Sequence, residues 1–392
     1  MVRRSLTRVA AAFAAVTLLP LLLQACSSMN PLDLFSGGPT GPKPAELPAL
    51  SNLQAVKALW TANIGAAESF VFSPALVGDG VYVASRSGSV ARLDAASGQP
   101  KWRVALGSRL SVGVGSDGAL VVVASDEGEV FALDALDGTV RWRARVSSEV
   151  LAVPKLGEGL VLVRSADSRI FAFGADDGRR RWVYQRAAAS LVVRSPVGLT
   201  MSQGSAYAGF SGGKLVAIAL RNGVLRWEST VALPKGATEL ERITDIVGDP
   251  VAFGREVCTA SYQGRVACYE VQNGNQIWAR EMSTLTGVSF DARYAFISDD
   301  KGAVHALDRG SGRSIWKQDR LAYRKLSLPL PLGTEVAVGD LQGYVHFLAR
   351  ESGAFVGRAA TDGSAVRAAP QRLAEGLLVQ TQNGGLFALL PQ

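Results

Sequence analysis

The sequence predicts an all-β protein, an eight-bladed β-propeller of four-stranded antiparallel blades that follows a short N-terminal export segment. Three observations carry this reading. Seven tryptophans, Trp60, Trp102, Trp142, Trp182, Trp227, Trp278 and Trp316, recur at gaps of 42, 40, 40, 45, 51 and 38 residues. The text around them repeats as well. The chain also opens on a lone fourth-strand segment and closes on a unit that lacks its fourth strand.

The N-terminus reads first. Arg3, Arg4 and Arg8 form a positive region, and Val9 to Leu23 form an apolar stretch broken only by Thr17 and Pro20. That stretch is shorter than the roughly 20 residues of a membrane-spanning helix. It has the layout of a secretory signal. Leu23-Gln24-Ala25-Cys26 resembles a lipobox, in which cleavage leaves a diacylated cysteine at the new N-terminus. Residues 1–25 are therefore expected to be a signal peptide. Residues 26–50 are expected to be a lipidated cysteine followed by a tether. Pro31, Pro39, Pro42, Pro44 and Pro48, with Gly37, Gly38 and Gly41, leave little to build a core there. As a random coil, about 24 such residues reach about 27 Å.

Residues 51–392 hold the repeat. Gly88-Ser-Val-Ala-Arg-Leu-Asp94 is followed by Gly98 and Trp102. Gly128-Glu-Val-Phe-Ala-Leu-Asp134 is followed by Gly138 and Trp142, and Gly302-Ala-Val-His-Ala-Leu-Asp308 by Gly312 and Trp316. Gly178/Trp182, Gly223/Trp227 and Gly274/Trp278 keep the same final spacing. Segments such as Val81 to Ala84, Val90 to Leu93 and Leu120 to Ala124 suit a pleated surface. Gly88 falls where a short hairpin loop wants a positive φ. Four strands in about 40 residues match a propeller blade.

The count closes the ring. Six units end on tryptophan. A seventh has Gly353, with Gly357 in the tryptophan place, and an eighth ends at Gly385-Leu-Phe-Ala-Leu389 just before Gln392. Val56 to Ile64, around Trp60, is a fourth strand with no unit before it. It should complete the C-terminal blade and pair edges that would otherwise stay open there. A ring that recurs in every unit is an inter-blade wedge, not a cofactor stack. The repeated Asp94, Asp134 and Asp308 suit turns that bond nearby backbone N–H groups.

Little in the chain points to catalysis. The net charge is +7, falling to +4 without Arg3, Arg4 and Arg8. No basic run suggests a nucleic-acid partner. His305 and His346 occupy one repeat position in neighbouring units, with no cysteine or carboxylate partners at zinc-binding spacing. No Gly-x-Ser-x-Gly motif stands at a strand-to-helix turn. There is no haem-attachment motif. No catalytic, cofactor or metal residue is expected.

Cys258 and Cys268 flank the turn Ser261-Tyr-Gln-Gly264-Arg265. A three-residue loop with Gly264 left-handed would set them directly opposite, close enough to bridge in an oxidising compartment. A two-residue loop would put them on opposite faces, as separate buried thiols.

The repeat resembles the pyrroloquinoline quinone (PQQ)-like repeat of quinoprotein dehydrogenases. Those enzymes carry adjacent cysteines over the cofactor, and this chain has no Cys-Cys pair. Lipobox, tether and eight repeats together resemble the BamB family of outer-membrane assembly lipoproteins. The loop Gly236-Ala-Thr-Glu-Leu-Glu-Arg-Ile-Thr-Asp245-Ile-Val-Gly-Asp-Pro250 and the segment Leu191-Val-Val-Arg194 carry that likeness. The loop also accounts for the longest tryptophan gap. Trp227 to Pro250 is 23 residues, whereas Trp60 to Pro74 and Trp182 to Pro196 are 14 each.

The resemblance implies a non-catalytic scaffold that binds the periplasmic POTRA region of BamA through Leu191, Val193, Arg194 and Asp245. The family's second acidic position falls on Val247, with Asp249 nearby. Nascent outer-membrane proteins are a further implied partner, through exposed strand edges. Ser27 after the lipidated cysteine, by likeness to Gram-negative lipoproteins, implies the periplasmic face of the outer membrane. A PQQ-dependent dehydrogenase and a ligand-sensing periplasmic propeller are the other readings.

Overall fold

The computed structural model describes residues 42–50, 53–187 and 191–392. The signal peptide, Cys26 and most of the expected tether lie outside the described residues. Pro44–Gln392 form one body. Its strands make eight antiparallel sheets of four. Blades 1 to 7 span residues 75–105, 115–145, 155–185, 199–230, 246–281, 289–318 and 330–360. Blade 8 combines residues 371–391 with the N-terminal strand β1, Val56–Asn63.

The second and third strands of each blade are almost wholly buried, because both faces pack against neighbouring sheets. Val81, Val83, Val121 and Val123 are fully covered. The outermost strands alternate, as Val140–Arg145 does, since one face meets water. The core is thus a set of apolar layers between adjacent blades. One layer joins Tyr82 and Val90 of blade 1 to Val121 and Phe131 of blade 2.

Each seam is built from the same parts. In all eight blades the pairing of the third and outermost strands slips by one residue, as at Ala132/Leu133 and Ala172/Phe173. In seven of them the extra residue immediately precedes the tryptophan, and in blade 7 it precedes Gly357. Such a bulge bends the strand and re-aims the next side chain. Each indole Nε1–H then donates to a carbonyl of the following blade at 2.7 to 3.0 Å, from Trp60 to Ala95 O through to Trp316 to Arg350 O. The ring lies against that blade's turn glycine. A Cβ on Gly98, Gly138, Gly178, Gly223, Gly274, Gly312 or Gly353 would come within 2.4 to 2.8 Å of it. These glycines also have positive φ, so two constraints select glycine. The aspartates act in the same turns. Asp94 accepts from the Ser97 amide at 3.0 Å, and Asp308 from the Ser311 amide at 3.0 Å.

Ring closure follows the expected pairing. β1 pairs antiparallel with the last strand, β32 (Gly385–Pro391), in register from Val56↔Pro391 to Asn63↔Gly385. The seam between blades 7 and 8 is the exception. There the outer strand carries Gly357, and Gln54 forms a parallel bridge to it. The Gln54 amide donates to Val356 O at 2.8 Å.

Residues just upstream also dock on this body, although the sequence places them in the tether. The Ala45 amide donates to Ala322 O at 2.8 Å. Arg324 donates to Ala45 O at 2.9 Å, and Arg358 to Pro48 O at 3.0 Å. Arg324 also pairs with buried Asp340 at 2.7 Å. Asp340 accepts from His346 Nε2–H at 2.9 Å, and Arg358 Nε donates to His346 Nδ1 at 3.3 Å. The His346 imidazole is therefore neutral, and burial holds its pKa below the usual value. His305 pairs with Asp299 at the same 2.9 Å. Both histidines are repeat-position residues that brace a hairpin.

Cys258 and Cys268 are direct cross-strand partners with joined sulfurs. The turn between them differs from the expectation. Gln263, not Gly264, takes the left-handed conformation. Ser261 still faces Arg265, its Oγ accepting from the Arg265 amide at 2.7 Å, so the register is unchanged.

Two outcomes are expected. Deleting residues 56–63 should lower the melting temperature by roughly 5 °C or more, because losing the Trp60 seam alone costs about 3–5 kcal/mol. A calorimetric scan of the truncated chain would show this, and an unchanged transition would mean that blade 8 closes without β1. Intact mass before and after reduction should differ by about 2 Da, the two hydrogens of one disulfide. Quantitative alkylation of both cysteines in denatured, unreduced protein would exclude the bond.

Candidate functional site

In every blade the chain leaves the outermost strand and crosses to the innermost strand of the next. All eight crossings therefore lie on one face of the disc, beside the hairpins that join second and third strands. The crossing from blade 3 to blade 4, residues 186–198, carries Leu191, Val193 and Arg194. The crossing from blade 4 to blade 5, residues 231–245, ends on Asp245 and is the long insertion.

The structure brings the two segments together. The Val193 amide donates to Asp245 Oδ2 at 2.7 Å, and the Gly212 amide to Oδ1 at 3.3 Å. Asp245 is only 5% exposed. Burial raises its pKa, opposed by the Val193 and Gly212 amides and by the charge of Arg164. Its carboxylate faces inward and fastens the segment, instead of forming half of a charged rim with Arg194.

Arg194 does reach the surface. Its Nη2 donates to Glu149 at 2.8 Å, across the crossing between blades 2 and 3. Its guanidinium also lies 5.3 Å from the Phe70 ring centre. Arg86, paired with Asp126, lies 4.4 Å from the same ring. Arg194 is thus held by residues from two other crossings, a pre-organised cation on the face.

Leu191 and Val192 are 47% and 48% exposed, whereas Val193 is half-buried. Sequence reasoning named Leu191 and Val193 and missed Val192, Glu149 and Phe70. Nothing in the repeat pattern marks these three. Leu191 shares a shallow hollow with Pro234, Glu239, Arg242 and Ile243 of the insertion. The insertion is itself folded into a tight turn. Glu241 accepts from the Ala237 and Thr238 amides at 2.8 and 3.1 Å, and Thr238 Oγ1 accepts from the Glu241 amide at 3.2 Å. This is the reciprocal bonding of a capping box, and it leaves Leu240 67% exposed.

Beneath residues 192–195 lies a cavity of about 200 Å³. Leu151, Val197, Phe210 and Ile246 supply apolar wall, and Arg164 and Asp245 supply charge. The two alternatives for the family's second acidic position both lie elsewhere. Val247 is fully buried in the sheet. Asp249 pairs with Lys155 of blade 3.

Catalytic chemistry finds no constellation here. Gly209-Phe-Ser-Gly-Gly213 matches Gly-x-Ser-x-Gly in letters, but it spans a strand end and hairpin turn in blade 4, and the only histidines are in blades 6 and 7. Among the described residues, no three His, Cys, Asp or Glu side chains gather as a metal site would need.

Comparisons with known proteins agree with this architecture. A family model described as outer membrane protein assembly factor BamB matches residues 56–110 and 86–318. The outer membrane protein assembly factor BamB of Bordetella pertussis is 41% identical over 367 residues, 93% of this chain and 95% of that one. That of Pseudomonas aeruginosa is 42% identical over 378 residues, 96% and 97% of the two chains. The crystal structure of BamB from Moraxella catarrhalis superposes with a TM-score of 0.79 at 26% identity, covering 86% of this chain and all of that one. A quinohemoprotein alcohol dehydrogenase from Comamonas testosteroni has a TM-score of 0.69 at 14% identity, with 87% and 78% coverage. At that identity the likeness is one of fold alone. On relatives more than 40% identical over more than nine-tenths of its length, the chain belongs to the BamB family of outer membrane protein assembly factors.

Proposed function

We propose that the chain is a non-catalytic scaffold of the Bam complex and docks the periplasmic POTRA region of BamA through Leu191–Arg194. One observation carries the reading. Two aliphatic side chains, Leu191 and Val192, stand exposed beside a fixed cation, Arg194, on a segment tied by its backbone to buried Asp245. An apolar centre with a charged rim is the usual anatomy of a docking hot spot. Val193 and Asp245 set the segment's shape, and Leu191, Val192 and Arg194 offer the contact surface. A diacylated Cys26 would hold the scaffold at the periplasmic face of the outer membrane. The uncovered outermost strands offer edges to nascent outer-membrane proteins.

Arg194→Glu should weaken binding to the purified POTRA region at least tenfold, about 1.4 kcal/mol. The substituted carboxylate would face Glu149 as well as any acidic partner. The melting temperature should change little, because Arg194 is half-exposed. Titration calorimetry beside melting curves reads both, and wild-type affinity with an intact melt would refute the docking site. Cys26→Ser should leave the chain soluble in the periplasm or with its signal uncut. Normal maturation and outer-membrane fractionation of that variant would rule out the lipid anchor.

A further inference from the structure

Arg164 breaks the repeat. Four residues before the hairpin-turn residue, the other blades carry Ala84, Ala124, Gly209, Ala260, Ser298 and Gly339, all small, and in blade 8 Gln380. The two long side chains do something the small ones cannot. Gln380 donates to Ala84 O, the carbonyl of the same position in the next blade, at 3.2 Å. Arg164 donates likewise to Gly209 O, the same position in blade 4. A neutral amide therefore suffices to bridge two blades, and the charge at position 164 calls for a separate explanation.

Its surroundings supply one. The Arg164 guanidinium also donates to Gly198 O at 3.4 Å, where the docking segment rejoins the sheet, and lies 4.6 Å from the Phe210 ring centre. No carboxylate among the described residues lies within ion-pair distance of it, and the charges that act on it most are those of Asp249 and Asp245. Asp245 in turn holds the Val193 amide. Between these two anchors the segment spans a cavity. Close packing normally fixes a segment's inner face, and here part of that packing is replaced by the cavity. Ser195 Oγ, on the cavity wall, is buried without a hydrogen-bond partner. Within its backbone the segment has only short local bonds, Ser195 N–H to Val193 O at 2.9 Å and Val197 N–H to Ser195 O at 2.8 Å, and outward Arg194 reaches Glu149.

We propose that Arg164 is a positioning residue for the partner-docking segment, holding residues 193–198 in their docking conformation through Gly198 and, by its charge, through Asp245. The inference rests on the docking reading above. Arg164 does not touch the partner. Its positive charge favours the carboxylate form of Asp245, which accepts from the Val193 amide, and its bond to Gly198 O ties down the segment's far end.

Arg164→Gln tests this directly, because blade 8 shows that glutamine at this position can bridge to the next blade. In the mature chain, the variant should melt within a few degrees of the wild type. Amide hydrogen exchange at Val193 should become at least tenfold faster, while the strands of blades 3 and 4 keep their protection. Affinity for the POTRA region should fall about tenfold, and Arg164→Lys, which restores the charge, should recover part of both effects. Wild-type exchange at Val193 in Arg164→Gln would overturn the proposal. So would faster exchange spread evenly over blades 3 and 4, or unchanged affinity while Arg194→Glu loses binding. If the wild-type chain itself fails to bind, the docking reading falls, and exchange at Val193 still decides whether Arg164 positions the segment.

Discussion

The ring depends on one contact repeated around it: an indole laid against a glycine, with its N–H on the neighbouring backbone. Each part requires the others. The bulge turns the tryptophan toward the next blade, the missing Cβ lets the ring approach, and the carbonyl satisfies the buried N–H. The hydrogen bond and the glycine contact use only the second blade's backbone, while apolar side chains of that blade, such as Phe173 beside Trp142, complete the layer. Seven seams follow this rule. The eighth cannot. The turn that would receive a ring from blade 7 is the gap between the two chain ends in blade 8, where Gln392 N–H meets Ala55 O. A tryptophan there would find no glycine turn. Gly357 and the incoming backbone at Gln54 fill the place instead.

Rigid seams leave the crossings as the places where blades can differ. Most crossings are short. The one between blades 4 and 5 is long, and the one between blades 3 and 4 runs over a cavity. Both deviations fall at adjacent seams on one face, joined by the bond from Val193 to Asp245. The surface around Leu191–Arg194 is thus a local departure from an otherwise uniform disc, and there Arg164 and buried Asp245 bond to backbone groups of the crossing.

The fold was legible in the sequence because its determinants are periodic. Tryptophan spacing, turn glycines and the unpaired first strand each repeat or visibly fail to. The opposition of Cys258 and Cys268 was legible too, although its supposed cause was not: the left-handed residue is Gln263, and only the register survives. The site was less legible. Resemblance pointed to Leu191, Val193, Arg194 and Asp245, but which way a side chain faces is set by contacts between blades distant in sequence. Asp245 turns inward because the amides of Val193 and Gly212 meet its carboxylate there. Val192 faces outward because Val193 is tied. The docking of Ala45 and Pro48 was hidden for another reason. Arg324 and Arg358 grip backbone carbonyls, which every sequence presents alike. Arg164 was in plain view, the one charged residue at its repeat position.

Closure through β1 and β32 has a consequence for biosynthesis. A chain made from its N-terminus produces the first strand of the final blade at the outset and its partners only at the end. Blades 1 to 7 can form and stack in order as the chain emerges, by local pairings that form readily. The ring, however, stays an open arc until the last residues arrive. A prematurely terminated product keeps bare apolar faces on its first and last blades, features that chaperones and proteases recognise. The fold therefore inspects its own length: only a chain carried to its final strand can lock.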